Sequence, residues 1–385
     1  MCGIAGVIGT ALSPAERSAV VARMVRAMPH RGPDDEGMFA DPAGGAALGM
    51  RRLAIFDPAH GQQPMTTADG RHTLVFNGAI YNFRALRREL EAAGESFRTA
   101  CDTEVLLAAL ARWSEAALPR LRGMFAFAWW DRITRTLRVA RDCFGIKPLY
   151  FAERGDGVVF ASELNALLAG GMVPAEIDPA AAAHYLAYLA VPAPGTIYRG
   201  IRNLRPGECA TWREGRWEIR EYWTFAHARG AGDAAPARSR EEFLAGLRHQ
   251  LEDTIAAHRL ADVPVGAFLS GGLDSAAIVG LMARGGGTVK TFSIGFGEAA
   301  YSEADEAAET ARHLGTMHSA SVLTGADLAA DIESLVSVLD QPTGDGINTY
   351  YASRAARAGG VTVALSGLGG DELFGGYPSF RNVPQ

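Results

Sequence analysis

Residues 263–284, VPVGAFLSGGLDSAAIVGLMAR, hold an apolar run, a serine–glycine loop and a helical continuation in one stretch. An apolar run without polar alternation suits a strand covered on both faces, and a helix behind it supplies one of the covers. In open parallel sheets ligands sit at the carboxyl ends of the strands, which is where Ser270, Gly271 and Gly272 fall. Their successive N–H groups can converge at a helix N-terminus, where the aligned peptide dipoles favour an anion such as a phosphate chain. The loop lacks the Gly-Lys-Ser/Thr ending of a Walker loop and the spacing of dinucleotide folds, and taken alone a tight turn is its commoner reading. A second loop shifts the balance. SGLGGDELFGG (366–376) also follows an apolar strand directly, so Ser366, Gly367, Asp371 and Glu372 would converge on the first loop, with Asp371 facing Asp274 across a magnesium ion.

Outward from this stretch the same rhythm continues. EEFLAGLRHQLEDTIAAHRL (241–260), TVKTFSIGF (288–296), EADEAAETARHLG (303–315) and VTVALSGLGGDELFGGY (361–377) alternate helices with buried strands, which predicts a parallel α/β domain. The front of the chain, to about Gly171, reads differently. GIAGVIG, GAALGMRRLAIF, HTLVFNGAIYN, MFAFAWWD, TLRVARD, PLYFA and GVVFASE are strand-like, and AFAWW and LVF read as buried sheet. Helical periodicity interrupts them at 82–93, closed by Gly94, and at 103–113, opened by Asp102 at a plausible cap. Strands with a few helices between them predict a layered α+β domain. The polar stretch AHARGAGDAAPARS (226–239) reads as the connector.

With 385 residues, 48% apolar and 21% charged, the chain has room for two or three cores. A net charge of −6 with interspersed signs provides no basic stripe for nucleic acid, and no apolar stretch reaches the 18 or so residues of a membrane span. The expected partners are small molecules, and the expected location is the cytoplasm. Cys2, Cys101, Cys143 and Cys209 stand singly, so neither a disulfide framework nor a zinc site is indicated. A lone cysteine is usually a small buried apolar residue. Cys2 is distinctive by position, because removal of Met1 would leave it with a thiol and a free α-amino group, a nucleophile with its own base. The histidines, His30 among them, are too scattered for a metal cluster.

MCGIAG, HRGPDDEG, RRLAIFD, FNGAIYN, CDTEVLL, RGMFAFAWWD, RDCFGIKPLYF, FASE, LSGGLDS, TFSIGF and ALSGLGGDELFGGY occur in this order from Met1 to about Tyr377. Together they resemble the glutamine-hydrolysing asparagine synthetases. The resemblance implies an α+β N-terminal-nucleophile (Ntn) sandwich domain over 2–225, a linker over 226–239, and an α/β parallel-sheet ATP-pyrophosphatase domain over 240–385. It implies an enzyme that adenylates a carboxylate with ATP and Mg2+ and lets ammonia from glutamine displace AMP. Aspartate or another small carboxylate is the implied acceptor, and a homodimer the implied assembly.

Carried over by motif, Cys2 resembles the glutaminase nucleophile, and its amine, ordinarily of pKa about 7.7 to 8.0, would take the thiol proton. Asn77 and Gly78 match the oxyanion donors. Arg52 is suited to the glutamine α-carboxylate and Asp102 to its α-ammonium, with Leu53, Ile55, Asn77, Gly78 and Ala79 completing the implied glutamine site. A surface ion pair for Arg52 and a helix cap for Asp102 are the plainer alternatives. For ATP the resemblance implies Leu269, Ser270, Gly271, Gly272, Asp274 and Ser275 as the pyrophosphate loop, Ile294 at the adenine, and Ser366 and Gly367 opposite. Asp274 and Asp371 are the implied magnesium ligands.

Some positions depart from the family's pattern. Ala79 stands where glutamate is usual, and Leu368 and Gln341 stand where acids are usual, which bears on the acceptor more than on the ATP chemistry. Family members also continue past this point with a lysine that stabilises the second step, so the ending FRNVPQ reads as that of a fragment. Two other readings stay open. One is a phosphoribosylamine- or glucosamine-forming amidotransferase, which would share only the front half, and the other is a non-catalytic homologue that binds glutamine or nucleotide without turnover.

Overall fold

The computed structural model describes residues 1–228, 239–297 and 302–382. The chain divides into two compact units, Met1–Ala235 with Asp340–Thr343, and Pro236–Leu339 with Gly344–Gln385. The connector read at 226–239 falls, apart from its ends, outside the described residues. Among the described residues no helix is long and apolar enough to cross a membrane.

The strands of the first unit are Gly3–Ile8 (β1), Asp35–Ala40 (β2), Ala46–Arg52 (β3), Met65–Thr66 (β4), His72–Ile80 (β5) and Gly123–Asp131 (β6). Thr136–Arg141 (β7), Tyr150–Arg154 (β8), Gly157–Ala161 (β9), Arg202–Asn203 (β10), Glu208–Arg213 (β11) and Arg216–Glu221 (β12) follow. They form two antiparallel sheets, in the orders β10-β8-β9-β1-β3-β2 and β12-β11-β7-β6-β5-β4. Its helices are Pro14–Arg26 (α1), Phe83–Ala92 (α2), Asp102–Trp113 (α3), Leu164–Ala169 (α4), Pro179–Tyr188 (α5) and Phe225–Ala228 (α6).

Alternation along β1 explains the layering, since residues two apart share a face. Ile4 and Ile8 point into the core between the sheets with Leu48, Met50, Val75, Trp130 and Val139. Ala5 and Val7 point the other way, onto Val21, Met24 and Val25 of α1. Each large apolar side chain buried this way contributes about 1.5–3 kcal/mol. On the second sheet α3 packs against β5. The result is the expected α+β sandwich, with strands β10–β12 lying beyond the β-rich region read to Gly171.

Both helix starts differ from the sequence reading by one residue. Asn82 precedes α2 but caps nothing with its side chain, which bridges Arg120 O at 2.9 Å and Arg122 N at 3.0 Å. Asp102 is the first residue of α3, with Cys101 at the cap position, because its carboxylate is drawn to β5.

The second unit holds Arg240–His258 (α7), Val265–Phe268 (β13), Leu273–Arg284 (α8), Lys290–Phe296 (β14), Ala304–Leu314 (α9) and Met317–Leu323 (β15). Gly325–Val338 (α10), Gly346–Ala358 (α11), Val363–Leu365 (β16), Gly370–Phe374 (α12) and Ser379–Asn382 (α13) complete it. Ser239 and Glu242 close a reciprocal capping box on α7, satisfying N–H groups that the helix itself leaves open. The four strands are parallel in the order β15-β14-β13-β16, as the apolar runs predict. The chain runs from β13 outward to β14 and β15 and returns to pair β16 on the other side of β13. That reversal opens a crevice at the carboxyl ends of β13 and β16.

Candidate functional sites

The first site gathers at the amino end of β1. Cys2, half-buried, packs against the core between the two sheets. Leu53 N donates to its Sγ at 3.4 Å, and Sγ donates to Leu53 O at 3.6 Å. Burial pushes the thiol up, while the Leu53 backbone and the nearby cationic groups pull it down without cancelling the rise. The α-amine of Met1, by contrast, is lowered to about 6, by burial first and by the positive charges of Arg31 and Lys147. The Met1 amine is therefore largely unprotonated at neutral pH.

The HRGPDDEG segment builds the walls. Arg31 Nε donates to Cys2 O at 2.8 Å, and Arg31 Nη1 donates to Glu163 Oε1 at 3.1 Å, which His30 Nε2 also meets at 2.9 Å. Burial would raise the Glu163 carboxyl, but the His30 hydrogen bond and the Arg31 charge hold it below its ordinary value. Gly32 packs so closely on the backbone of Arg51 and Arg52 that a Cβ would collide with it. Asp34 Oδ2 accepts from Ala54 N at 2.8 Å, fixing the turn after β3.

Arg52 is 3% exposed and its guanidinium is committed within this turn. Nη1 donates to Asp35 Oδ2 at 2.7 Å and Pro58 O at 3.1 Å, and Nη2 to Phe56 O at 3.0 Å and Asp57 O at 2.9 Å. It thereby shapes the segment that carries Leu53 and Ile55, both partly exposed.

Strand β5 supplies the facing wall. Asn77 is 1% exposed, and among the described residues its Nδ2 has no hydrogen-bond partner. It shares a face with Val75, which lines the same inter-sheet core that Cys2 packs against. A buried amide left unpaired costs about 1–3 kcal/mol, so the position is held against stability. Along the edge of β5 that β4 leaves open, Phe76 N donates to Gln63 Oε1 at 2.7 Å and Ile80 N to Asp102 Oδ2 at 2.9 Å. The alternation of an antiparallel ladder puts Gly78 N between them, pointing out of the same edge. A Cβ on Gly78 would collide with Met124 O of β6, so only glycine fits; neighbouring Ala79 is buried.

Asp102 is 4% exposed, and burial raises its carboxyl to about 7, with backbone N–H groups and then Arg52 opposing. A folded value above the unfolded one means that stability falls as pH rises from about 4 to about 7. The cost on the alkaline side is on the order of 4 kcal/mol. Asp102→Asn should therefore raise the melting temperature at pH 8 and leave it nearly unchanged at pH 4. Equal melting shifts at both pH values would contradict this origin.

The second site lies in the crevice of the parallel sheet. Leu269 N donates to Phe292 O at 2.9 Å, fixing the loop to β14, where Ile294 is partly buried. Ser275, on the first turn of α8, ties the loop together: its Oγ accepts from Ser270 N at 3.1 Å, meets Ser270 Oγ at 3.0 Å and donates to Gly272 O at 3.1 Å. Gly271 N donates to Glu303 Oε2 at 3.0 Å, so a carboxylate already occupies one of the anion-seeking N–H groups. Opposite, Ser366 Oγ accepts from Leu368 N at 3.2 Å, and Gly367 lies so near that a Cβ would come within 3.0 Å of Ser275 N. The Asp274 carboxylate lies against the backbone of Gly370, next to Asp371.

Among the described residues no three His, Cys, Asp or Glu gather as a metal cage. Two carboxylates beside a glycine loop at a helix N-terminus nonetheless fit Mg2+, which commonly takes one or two carboxylates and completes its shell with phosphates and water. Leu368 is 77% exposed at the mouth of this loop. Gln341 belongs to the first unit, where Ile197 N donates to its Oε1 at 3.3 Å and its Nε2 donates to Tyr150 Oη at 3.2 Å.

Arg31 and Asp34 lie in HRGPDDEG, Lys147 in RDCFGIKPLYF and Glu163 in FASE, where no local pattern marks a role for them. Gln63 lies in no such motif, and Glu303 only opens the helical string 303–315.

Comparisons with known proteins bear on both units. Residues 1–223 match the family model described as glutamine amidotransferase domain, and residues 246–385 that described as asparagine synthase. The chain is 39% identical over 387 residues to asparagine synthetase (glutamine-hydrolyzing) 1 of Bacillus subtilis, covering 99% of this chain and 60% of that protein. It is 41% identical over 405 residues to a putative asparagine synthetase (glutamine-hydrolyzing) of Mycobacterium tuberculosis, covering 99% and 61%. To the putative asparagine synthetase (glutamine-hydrolyzing) 2 of Methanocaldococcus jannaschii it is 33% identical over 407 residues, covering 99% and 76%. The chain thus spans about three fifths of the length of the first two relatives.

Proposed function

The chain belongs to the family of glutamine-hydrolysing asparagine synthetases, and from that premise we propose that it is an ATP-dependent amidotransferase that makes asparagine from aspartate with glutamine as nitrogen donor. In this reading residues 2–225 release ammonia from glutamine, 226–239 link, and 240–385 activate the acceptor carboxylate. The observation that carries it is the buried Nδ2 of Asn77, without a partner among the described residues, on the wall that faces the core packed by Cys2.

Removal of Met1 exposes the α-amine of Cys2. The amine takes the thiol proton, and the thiolate adds to the side-chain amide carbon of glutamine. Negative charge then develops on the amide oxygen, where Asn77 Nδ2, without a partner among the described residues, and Gly78 N, turned to the open edge of β5, donate. The amine returns its proton to the departing nitrogen, and ammonia leaves a thioester on Cys2. Water, deprotonated by the same amine, hydrolyses the thioester to glutamate and regenerates the thiol.

Asp102 meets the α-ammonium of glutamine. A carboxyl raised to about 7 by burial is one that an incoming cation returns to its charged form. Arg52 holds the α-carboxylate once the ligand replaces Asp35 as its charged partner, with Leu53, Ile55 and Ala79 around it.

In the second unit Leu269 to Ser275 cradle the phosphates of ATP, Ile294 borders the adenine, and Ser366 and Gly367 close the far side. Asp274 and Asp371 would hold Mg2+, which supplies charge neutralisation of the phosphates when bound. Before ATP enters, Glu303 must leave Gly271 N. Glu303→Gln is therefore expected to tighten ATP binding roughly threefold to tenfold, the effect of one exposed charge at close range. Calorimetric titration reads it, and unchanged or weaker binding would remove Glu303 from the seat.

Adenylation joins the acceptor carboxylate to the α-phosphate of ATP with release of pyrophosphate, and ammonia then displaces AMP. The exposed apolar Leu368 favours a second reading, in which another small carboxylate is the acceptor. Release of AMP and pyrophosphate against a panel of carboxylates, with glutamate counted alongside, tests both. Aspartate alone giving equal glutamate and AMP supports the first, a different carboxylate the second, and neither product from any member ends the proposal. The same reading puts the protein in the cytoplasm as a homodimer, which light scattering tests.

A further inference from the structure

Lys147 lies between β7 and β8, 4% exposed, and among the described residues its ammonium meets no carboxylate. Its one polar partner there is Met1 Sδ at 3.0 Å, a weak acceptor. An ammonium buried with so little compensation is costly, so the surrounding structure must hold it in place. The loop is built to do so. Asp142 Oδ1 accepts from Phe144 N and Ile146 N, and its Oδ2 accepts from Phe125 N and Lys147 N. Arg141 Nε donates to Lys147 O at 2.9 Å, and Arg141 Nη2 to Gly145 O at 2.6 Å. Phe125 lies opposite Gly78 in the β5–β6 ladder, so the loop is anchored to the strand that backs the oxyanion donors.

The charges around the chain's first amine come from several elements. Lys147 arrives from the β7–β8 loop, Arg31 and Asp34 from the segment before β2, and the Cys2 thiol lies next in sequence. Glu163 is drawn off by Arg31 and His30, and Asp142 is saturated by backbone donors. With Met1 gone, Lys147 loses its sulfur partner and the end of the chain becomes the α-amine of Cys2.

We propose that Lys147 is a positioning residue for glutamine hydrolysis, whose ammonium faces the α-amine of Cys2 and holds that amine unprotonated, ready to accept the thiol proton. This rests on Cys2 being the glutaminase nucleophile. The amine present at this end is already lowered to about 6, and Lys147 is itself lowered to about 8, by burial ahead of Arg31.

The test is the pH dependence of kcat/KM for glutamine hydrolysis by the intact, Met1-processed protein. Lys147→Met should move the acid limb up by about half to one pH unit, and Lys147→Arg should leave it in place. A Lys147→Met profile that superimposes on that of the unaltered protein overturns the proposal. Should Lys147→Met not fold, a nitrogen-15 titration of the Cys2 amine in the unaltered protein and in Lys147→Gln decides. A value higher in Lys147→Gln by about half to one pH unit supports the proposal, and equal values overturn it. An unaltered protein that releases no glutamate defeats the glutaminase reading instead, and the amine titration still reads the part played by Lys147.

Discussion

Cys2→Ala is expected to lower glutamine hydrolysis roughly 10⁴-fold or more while leaving ammonia-supported AMP release intact. The substitution deletes the atom that forms the thioester in the proposed mechanism, so no neighbouring group can compensate. Alanine is also small enough for Met1 to be trimmed, so the α-amine and the Arg31 contact to the residue-2 carbonyl survive. The loops at 269–275 and 366–371, proposed for ATP, belong to the other compact unit and do not depend on the thiol. Glutamate release by the variant within tenfold of the unaltered rate would mean that another group attacks the amide.

Asn77→Ala should carry the second largest effect, a fall in kcat of about 10²–10³ with KM for glutamine changed less than threefold. The expected asymmetry follows from when the interaction is made. Among the described residues Nδ2 has no partner, and in the proposed mechanism it acquires one only as charge grows on the oxygen of the tetrahedral intermediate. Deleting a buried donor without a partner also removes no native hydrogen bond, so the melting temperature should stay level or rise slightly. A structural asparagine would behave in the opposite way, with a large loss of stability and little loss of kcat. Differential scanning calorimetry and steady-state kinetics on the same preparation separate the two.

The two unit types were legible because their strands are written in different patterns. VGAFL and VTVAL are short apolar runs, each followed by a glycine loop and a helix, which only a parallel sheet accommodates. In the first unit the seven strand-like strings of the front region correspond to β1, β3 and β5 to β9, since turn residues bracket each of them. The outer strands β10 to β12 lie past a helical stretch and were not separately visible.

The surroundings of the candidate site were less legible. Asn77 and Gly78 lie side by side in the sequence, and Asp102 joins them at the edge of β5 through Ile80 N. Nothing local announces that Arg31 reaches Glu163, 132 residues away, or that Lys147 reaches Met1, 146 residues away. Such contacts depend on how the sheets stack, which periodicity does not record. Arg52 illustrates the same limit, because its four hydrogen bonds to Asp35 and to the carbonyls of the 56–58 turn emerge only once that turn is folded.

The central claim, that a processed amino-terminal thiol carries out the amide chemistry, is tested most directly by trapping it. A glutamine analogue bearing a diazoketone should alkylate the active protein once per chain, and intact-mass and peptide measurements should place the label on Cys2 with Met1 absent. Label on Cys101, Cys143 or Cys209, or on Cys2 in chains that still carry Met1 and still hydrolyse glutamine, would contradict the account.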